Sequence, residues 1–330
     1  MRSRRVKIIV EIGVNHNGSL PLAKELIASA KDAGADYVKF QTFQTEAGIC
    51  RVAPKASYQI ARTPASESQW QMLKRLELDK QSHHELVQSS RDNGISFLST
   101  ACDLPSVDLL EELNISPIKI ASCDLINLPL LRAINKLNVD VLLSTGMATE
   151  AEIDRAVQEL SGVKSLALFL CTTEYPCPNA EVNLEKLRSL ARWKRPLGFS
   201  DHTVGLAATV ASIALGVEYI ERHFTLDKSM PGPDHAASLE PNELRQLVQM
   251  VHEASDSMGN AELIPTESEI KNRHLMRRRI VAIKTIKKGE VITIKKVGMK
   301  RASQGRFADE IDSIVGTVAS RSYRCDEAIE

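Results

Sequence analysis

The chain has 330 residues, with 42 Lys and Arg against 42 Asp and Glu, so its formal charge is balanced. This balance gives no reason to expect nucleic acid or an anionic membrane as the main partner. The length accommodates one large domain of about 250 residues plus a small one, or two ordinary domains. The composition therefore favours an enzyme that acts on small molecules.

Neither a targeting segment nor a membrane span is predicted. The N-terminal sequence MRSRRVKIIVEIG contains a short apolar run that ends at Glu11, and it lacks the long apolar region and the cleavage site of a signal peptide. No stretch is long and apolar enough to cross a bilayer. The six cysteines form no CxxC pair, which predicts reduced, mostly buried thiols. These features predict a cytoplasmic protein.

Short apolar runs alternate with amphipathic stretches along about the first 225 residues, which predicts parallel strands with crossover helices. The predicted strands are VKIIVEIG (6–13), YVKFQTF (37–43), ISFLSTA (95–101), PIKIAS (117–122), VDVLLSTG (139–146), SLALFLCT (165–172), PLGFSD (196–201) and VEYIERHF (217–224). A last helix is predicted over about 241–258. Eight such units in about 250 residues predict a (β/α)8 barrel. A doubly wound open sheet remains the alternative, because periodicity does not establish closure.

Two segments depart from this rhythm. The connection after the second predicted strand, about 44–80, is longer than usual and contains the helical patch WQMLKRLEL, and long connections of this kind are often functional. After Met258 the chain becomes polar and basic, which predicts a linker over 259–278 between a catalytic domain (1–258) and a small β-rich domain (279–330). A domain of that size is expected to dock on something, because it would be weak alone.

Two lysines interrupt otherwise apolar predicted strands. Lys39 and Lys119 lie on the second and fourth strands, where a buried ammonium needs a nearby anion. Structural salt bridges would explain one such lysine, but two at the same barrel mouth favour a cradle for phosphate and carboxylate. Hydroxyl groups at neighbouring strand ends complete this cradle: Thr100, Ser122, Thr173 and Ser200. The chain has no Walker loop and no GxGxxG motif, so nucleotide binding by those motifs is not supported.

Two histidines end neighbouring predicted strands. His202 and His223 follow the seventh and eighth strands, so their imidazoles can meet above the barrel at metal-ligand distance. A lone histidine there is more often structural, but a pair favours a labile Mn²⁺ or Mg²⁺, with water and a substrate oxygen as further ligands. Carboxylates and a phenol at the same rim fit recognition of sugar hydroxyls, although each one singly could be a solvated loop residue. They are Glu11, Asp124, Glu174, Tyr175 and Asp234.

A series of motifs gives the sequence a resemblance to the sialic acid synthase family over almost the whole chain. In order, they are EIGVNHNGS, GADYVKFQTF, FLSTACD, KIASCDLINLPLL, LLSTGM, CTTEYPCP, GFSDHTVG, ERHFTLDKSMPGPDHAASLEP and RRIVAIKTIKKGEVIT. The resemblance implies a (β/α)8 barrel followed by an antifreeze-like, or SAF, domain. It also implies an enzyme that condenses phosphoenolpyruvate with an N-acylated mannosamine-type sugar.

The resemblance assigns roles to individual residues. Those matching phosphoenolpyruvate-binding positions are Lys39, Thr100, Lys119, Ser122, Thr173 and Ser200. Those matching metal ligands are His202 and His223, with Glu11 as a further catalytic residue. Those matching sugar-binding positions are Asp124, Tyr175, Asp234 and Arg301. Arg301 would act in the partner subunit's site, since family members are homodimers that exchange the SAF domain.

Three positions depart from the family pattern. Asp124 stands where many relatives have Glu, and Thr173 stands where some have Asn. The run RASQG replaces a more usual RPG turn next to Arg301, so the loop lacks a proline that would stiffen it.

The resemblance implies an N-acetylneuraminate synthase, which condenses phosphoenolpyruvate with open-chain N-acetylmannosamine in a metal-dependent reaction. The alternative within the class is an N,N'-diacetyllegionaminic or pseudaminic acid synthase acting on a 2,4-diacetamido-6-deoxy sugar. CTTEYP and PGPDHAASLEP resemble the sialic and legionaminic types more than the pseudaminic type. Two other classes stay open: a metal-dependent aldolase or 3-deoxy sugar acid synthase without the SAF tail, and a tail that acts alone as a carbohydrate- or ice-binding module.

Overall fold

The computed structural model describes residues 5–64 and 66–330. Within it the chain divides after Gly259 into two compact units. The first four residues of the predicted catalytic domain and residue 65 of the predicted insertion lie outside the described residues.

Eight parallel strands of the first unit close into a barrel in sequence order. They are β1 (Lys7–Gly13), β2 (Tyr37–Thr42), β3 (Ser96–Ala101), β4 (Ile118–Ile120), β5 (Asp140–Ser144), β6 (Ser165–Cys171), β7 (Leu197–Ser200) and β8 (Tyr219–His223). Each one falls within a predicted strand. Because β1 pairs with β8 as well as with β2, the sheet has no free edge. The predicted barrel is confirmed over the open sheet.

Helices follow the strands, and most of them pack on the outside of the barrel. They are α1 (Leu20–Asp32), α2 (Thr45–Gly48), α3 (Ser57–Arg62), α4 (Gln69–Leu76), α5 (Lys80–Asp92), α6 (Leu104–Glu112), α7 (Leu128–Asn135), α8 (Glu150–Glu159), α9 (Lys186–Leu190), α10 (Ala207–Ile213) and α11 (Pro241–Ser257). Ser19, Asp103 and Thr149 begin three of them by accepting a hydrogen bond from a backbone N–H in the first turn. Such caps satisfy donors that have no partner within the helix.

Alternation along each strand separates two cores. On β1, Ile8 and Val10 belong to the large core that the strands share with the helices, whereas Ile9 faces the barrel axis. A compact apolar layer fills that axis and consists of Ile9, Leu98, Leu142, Ala167 and Phe169, with Tyr37 and Tyr219 against it. Two residues further along the same strands the inward positions become polar, as at Glu11 and Lys39. The barrel is therefore a packed core with a polar layer at its C-terminal end.

The long connection after β2 forms α2, α3 and α4, and the predicted helical patch is α4. Met72 and Leu76 of α4 form a small apolar cluster with Val14 from the loop after β1. Gly18 makes this contact possible, because its φ is +75° and a Cβ atom there would lie 2.5 Å from the carbonyl oxygen of Arg75. The insertion therefore packs against the loop that follows β1, beside the barrel mouth.

The predicted linker contains an exposed helix, α12 (Glu267–Met276). Thr266 and Glu269 cap this helix reciprocally, a local signal that the prediction of a linker overlooked. The rest of the second unit has its own antiparallel sheet, β9 (Arg278–Ala282) paired with β10 (Val297–Arg301), and a short helix α13 (Ile311–Ile314). Its core consists of Ile280, Ala282, Ile286, Ile292, Val297, Ile314, Ala319, Tyr323 and Ile329.

Among the helices of residues 5–64 and 66–330, none combines the length and apolarity needed to cross a membrane. All six cysteines are free. The expectation that most of them are buried is wrong, because Cys50, Cys123 and Cys325 are exposed. These three lie in connecting segments, whereas Cys171 is buried at the end of β6.

Candidate active site

A cavity of about 280 Å³ lies at the C-terminal end of the barrel. All but two of the residues to which the resemblance assigns a role line it: Glu11, Lys39, Thr100, Lys119, Ser122, Thr173, Tyr175, Ser200, His202, His223 and Asp234. Every strand from β1 to β8 brings at least one residue to its wall, from its own end or from the loop after it. The residues predicted from the strand ends therefore line one continuous cavity.

A buried carboxylate joins the two predicted lysines. Glu221 on β8 accepts hydrogen bonds from Lys119 Nζ at 2.8 Å and from Ser200 Oγ at 2.8 Å, and Lys39 Nζ lies 3.9 Å from its Oε1 atom. Burial acts to raise the pKa of Glu221, but attraction by Lys119 and Lys39 outweighs it, so the pKa lies well below its ordinary value. Glu221 is therefore ionised and balances one of the two ammonium charges.

Glu11 is the second buried carboxylate. Its Oε2 atom lies 2.6 Å from Lys39 Nζ, and its Oε1 atom accepts a hydrogen bond from Gln41 at 2.7 Å. Lys39 also donates to Thr100 Oγ1 at 3.1 Å. Burial raises the pKa of Glu11 although Lys39 opposes the shift, while the pKa of Lys39 is raised because its attraction to Glu11 and Glu221 exceeds the effect of burial. The raised pKa of Lys39 keeps its ammonium charged beside Thr100, in a cluster that suits an incoming anion.

Small polar groups line the arc from β4 to β6. Ser122 Oγ lies 2.9 Å from Cys171 Sγ and accepts a hydrogen bond from the Gly146 backbone N–H at 3.0 Å. A Cβ atom on Gly146 would lie 2.6 Å from Thr173 Oγ1 and 2.8 Å from Ser122 Oγ. Glycine at this position therefore leaves the space in which these hydroxyls and a backbone N–H converge, a combination that suits phosphate oxygens.

The two histidines are neighbours, as predicted. Their ring centroids lie 5.4 Å apart, and the Tyr175 ring lies 4.2 Å from that of His202. His202 Nδ1 lies 2.8 Å from the Thr172 carbonyl oxygen, which can only accept, so Nδ1 carries the proton and Nε2 keeps its lone pair. Burial is the main reason that the pKa of His202 falls to about 4 and that of His223 to about 3. Both imidazoles are therefore neutral at pH 7, the form that ligates metals.

The donor set around these imidazoles fits a metal that keeps several positions open. His223 Nδ1 is buried and has no hydrogen-bond partner within the described part of the chain. No group of three or more His, Cys, Asp or Glu side chains with metal-binding geometry occurs among residues 5–64 and 66–330. Two imidazoles alone would leave room for water and a substrate oxygen, so the divalent metal remains a prediction with which the geometry is compatible.

Asp234 reaches the cavity from the loop after β8. Its Oδ2 atom lies 3.7 Å from His223 Nδ1, and burial followed by repulsion from Glu11 raises the pKa of Asp234 to about 7. Ser238 Oγ donates to the Asp234 carbonyl at 2.7 Å and accepts from Asn15 Nδ2 at 2.8 Å. These bonds attach the loop to the segment after β1 and fix the position of the Asp234 backbone.

Three predicted rim or site residues do not line the cavity. Asp124 lies in the turn after β4, where it accepts a hydrogen bond from Asn127 Nδ2 at 2.9 Å. Its neighbour Cys123 does line the cavity. Glu174 is exposed after β6, and Arg301 is exposed at the end of β10 in the second unit. The sugar-binding roles of Asp124 and Arg301 stay predictions.

Three polar strand residues that line the cavity were missed from the sequence: Glu221, Gln41 and Ser144. Each lies two positions from an inward-facing residue of the same strand, so period-two alternation could have found them. Glu221 precedes His223 by two residues, and Gln41 follows Lys39 by two. The histidine and lysine signals drew attention away from these less unusual side chains.

Outside the barrel wall, a buried ion pair supports the loop between β7 and β8. Arg222 Nη1 lies 2.7 Å from Asp201 Oδ2, and the guanidinium also donates to the carbonyl groups of Gly205 and Thr203, both at 2.9 Å. Asp201 precedes His202 and Arg222 precedes His223 in sequence. The pair therefore fixes the backbone from which both imidazoles project.

A closed parallel barrel with a charged and hydroxyl-lined cavity at the C-terminal ends of its strands is the architecture of a (β/α)8 enzyme. The sequence specifies which one, since it matches the NeuB family over residues 26–263 and the SAF domain over residues 277–329. The chain belongs to the NeuB family. Enzymes of this family are transferases that condense phosphoenolpyruvate with a sugar.

Similar proteins agree on the family and differ in the sugar acid that they make. The chain is 46% identical to the N,N'-diacetyllegionaminic acid synthase of Campylobacter jejuni, over 99% of both chains. It is 32% identical to the human N-acetylneuraminate-9-phosphate synthase, over 98% of this chain and 90% of the other. A crystal structure of N-acetylneuraminic acid synthetase from Leptospira borgpetersenii in complex with citrate superposes with a TM-score of 0.73 at 31% identity, covering 82% of this chain and 91% of the other.

The charge cluster predicts the effect of neutralising Glu221. Glu221→Gln leaves Lys119 with an uncompensated buried charge, so the free energy of unfolding should fall by about 3–5 kcal/mol. Denaturant titration at pH 7 measures this change. The control is Glu112→Gln, which removes one carboxylate from an exposed pair with Lys80 and should have little effect. Equal stability of the two variants would contradict the assigned charge balance.

Proposed function

We propose that this protein is an N,N'-diacetyllegionaminic acid synthase. The observation that carries the proposal is the 46% identity, over 99% of both chains, with an enzyme of that name, against 32% for the human N-acetylneuraminate-9-phosphate synthase. The comparison thus favours the alternative from the sequence analysis over N-acetylneuraminate synthase. The acceptor would be a 2,4-diacetamido-6-deoxy sugar in its open-chain form, and the products would be the nonulosonic acid and phosphate.

In this proposal the two lysines and the hydroxyl arc bind phosphoenolpyruvate. Lys39 and Lys119 supply positive charge, and Ser122, Thr173 and Ser200 supply oriented donors for the phosphate and carboxylate oxygens. The burial of both lysines supports the proposal, since an anion interacts more strongly with a charge that is shielded from water. Glu221 would balance part of the positive charge of the two lysines.

Bond formation joins carbon 3 of phosphoenolpyruvate to the acceptor aldehyde carbon, whose carbonyl electrons pass to its oxygen. A bound divalent metal on His202 and His223 would supply Lewis-acid stabilisation of that oxygen. Glu11 orients a water molecule that adds to carbon 2. The Glu11 carboxylate accepts the proton that this water molecule loses. The resulting tetrahedral carbon expels phosphate and becomes the keto group of the product. Tyr175 and Asp234, which line the cavity beside the histidines, would contact the acceptor.

Assembly and location also belong to this proposal. Arg301 would reach the site of a partner subunit in a homodimer that exchanges SAF domains. The support is the family resemblance together with the match of residues 277–329 to the SAF domain. That match also disfavours a barrel without a SAF tail. A cytoplasmic location is likewise carried over from the sequence analysis as a proposal.

A panel of acceptors tests the proposed product. Purified protein is incubated with phosphoenolpyruvate, Mn²⁺ and either 2,4-diacetamido-2,4,6-trideoxymannose or N-acetylmannosamine, and phosphate release and product mass are measured. We expect kcat/KM to favour the diacetamido sugar by at least about tenfold, the scale on which pockets separate substituents of this size. A preference for N-acetylmannosamine would overturn the assignment. Phosphate release without any acceptor would argue against a synthase.

Metal removal tests the role of the histidine pair. Chelation followed by desalting should abolish activity, and Mn²⁺ or Mg²⁺ should restore it. His202→Ala and His223→Ala should lose activity at least about 100-fold and stay inactive with added metal, since Lewis-acid stabilisation is worth several kcal/mol. The matched control is His84→Ala, which changes an exposed histidine of α5. Full activity of His202→Ala with added Mn²⁺ would refute this role.

A further inference from the structure

One part of the cavity wall is apolar. Val14, Met72 and Leu73 line it, and we call these three residues the apolar wall. Val14 follows β1, whereas Met72 and Leu73 belong to α4 in the insertion after β2. Polar residues from β8, β1, β2 and the segments after them line the cavity beside this wall: Glu11, Lys39, Gln41, Gln59, Glu221, His223 and Asp234.

The polar groups assigned to phosphoenolpyruvate occupy a different arc. Thr100, Lys119, Ser122, Thr173 and Ser200 come from β3, β4, β6 and β7 or the loops that follow them. In a closed barrel with strands in sequence order, β4 and β6 lie across from the arc formed by β8, β1 and β2, whereas β3 and β7 adjoin that arc. The apolar wall therefore lies on the other side of the cavity from the Ser122 and Thr173 hydroxyls, next to polar residues of β1 and β2.

The apolar wall belongs to a packed unit. Val14 and Met72 are 3% and 0% exposed and share a cluster with Leu76, against which Phe43 and Leu73 pack. Gly18, in the same loop as Val14, lets the backbone of α4 approach closely, because any larger residue at that position would meet a carbonyl oxygen of α4. A surface fixed in this way presents the same apolar shape to every ligand and cannot rearrange to hydrate a hydroxyl group.

A surface without hydrogen-bonding groups favours a methyl group over a hydroxyl group. A methyl group placed against it gains burial of apolar area, whereas a hydroxyl group loses its water without gaining a partner. In the diacetamido 6-deoxy acceptor, carbon 6 is a methyl group and each of the two acetyl groups supplies another. In N-acetylmannosamine, carbon 6 is a hydroxymethyl group and there is a single acetyl group. The apolar wall therefore matches the acceptor that has more methyl groups.

We propose that the apolar wall binds a methyl substituent of the acceptor and selects against a hydroxyl group at the same place. This inference rests on the proposed synthase activity and names Leu73 and Val14 as specificity-determining residues, with the fully buried Met72 supporting them. The methyl group can come from carbon 6 or from an N-acyl group, and the two sources share the same recognition chemistry.

Two pairs of acceptors separate these sources. The first compares N-acetylmannosamine with its 6-deoxy analogue, and the second compares N-glycolylmannosamine with N-acetylmannosamine. Wild-type protein should prefer the methyl-bearing member of one pair by about 10- to 100-fold in kcat/KM. Leu73→Asn, which keeps the side-chain size but makes it polar, should reduce that preference to less than about threefold and leave the KM for phosphoenolpyruvate unchanged.

Leu76→Ala is the matched control, because Leu76 belongs to the same apolar cluster but does not line the cavity. It should keep the wild-type preference even if it lowers the unfolding temperature. A second variant, Val14→Thr, tests the wall from the loop after β1 and should reduce the same preference.

The pair that loses its discrimination identifies the position of the methyl group. Unchanged ratios for both pairs in Leu73→Asn and Val14→Thr would overturn the inference. Because both pairs use mannosamine-type sugars, this result is distinguishable from failure of the diacetamido sugar as a substrate, which concerns the proposed product alone.

Discussion

The structure of the site depends on burying two lysines at the centre of a barrel mouth. Taking an ammonium ion out of water costs several kcal/mol even after relaxation, so Lys39 and Lys119 require close anions. Glu221 meets this need from β8, across the barrel from Lys119 on β4. Barrel closure brings strands β2, β4 and β8 to one charge cluster. A shift of one residue in the register of any of these strands would turn its charged side chain towards the apolar outer core.

Around that cluster, different strands contribute different kinds of side chain to the cavity wall. Strands β3 to β7 and their loops bring hydroxyl groups and the close approach of the Gly146 backbone, which suits an anion. Strands β8, β1 and β2 bring the apolar wall and the loop that carries Asp234. His202 follows β7 and His223 ends β8, and the ion pair of Asp201 with Arg222 fixes the backbone of both from outside the barrel wall. A reaction that joins an anionic donor to a less polar acceptor would need this order of groups.

Much of this arrangement could be predicted from the sequence because it is periodic or chemically unusual. Eight apolar runs and two lysines within strands are signals of both kinds, and the barrel and its polar mouth follow from them. Glu221 was missed because the more unusual histidine two residues later drew attention away from it. The helix α12 was missed because its residues are exposed and carry no apolar stripe. The apolar wall depends on contact between Val14 and a distant insertion, which no local pattern encodes.

Calorimetric titration with phosphoenolpyruvate, in the absence of acceptor, tests most directly whether the buried charge cluster binds the anionic donor. The informative variant combines Lys119→Met with Glu221→Gln, because it removes one charge of each sign and so keeps the cluster balanced. Circular dichroism confirms that it is folded. The account predicts a Kd at least about tenfold weaker than wild type, the scale of a lost charge-assisted hydrogen bond. An unchanged Kd would contradict the assignment of Lys119 to the donor site.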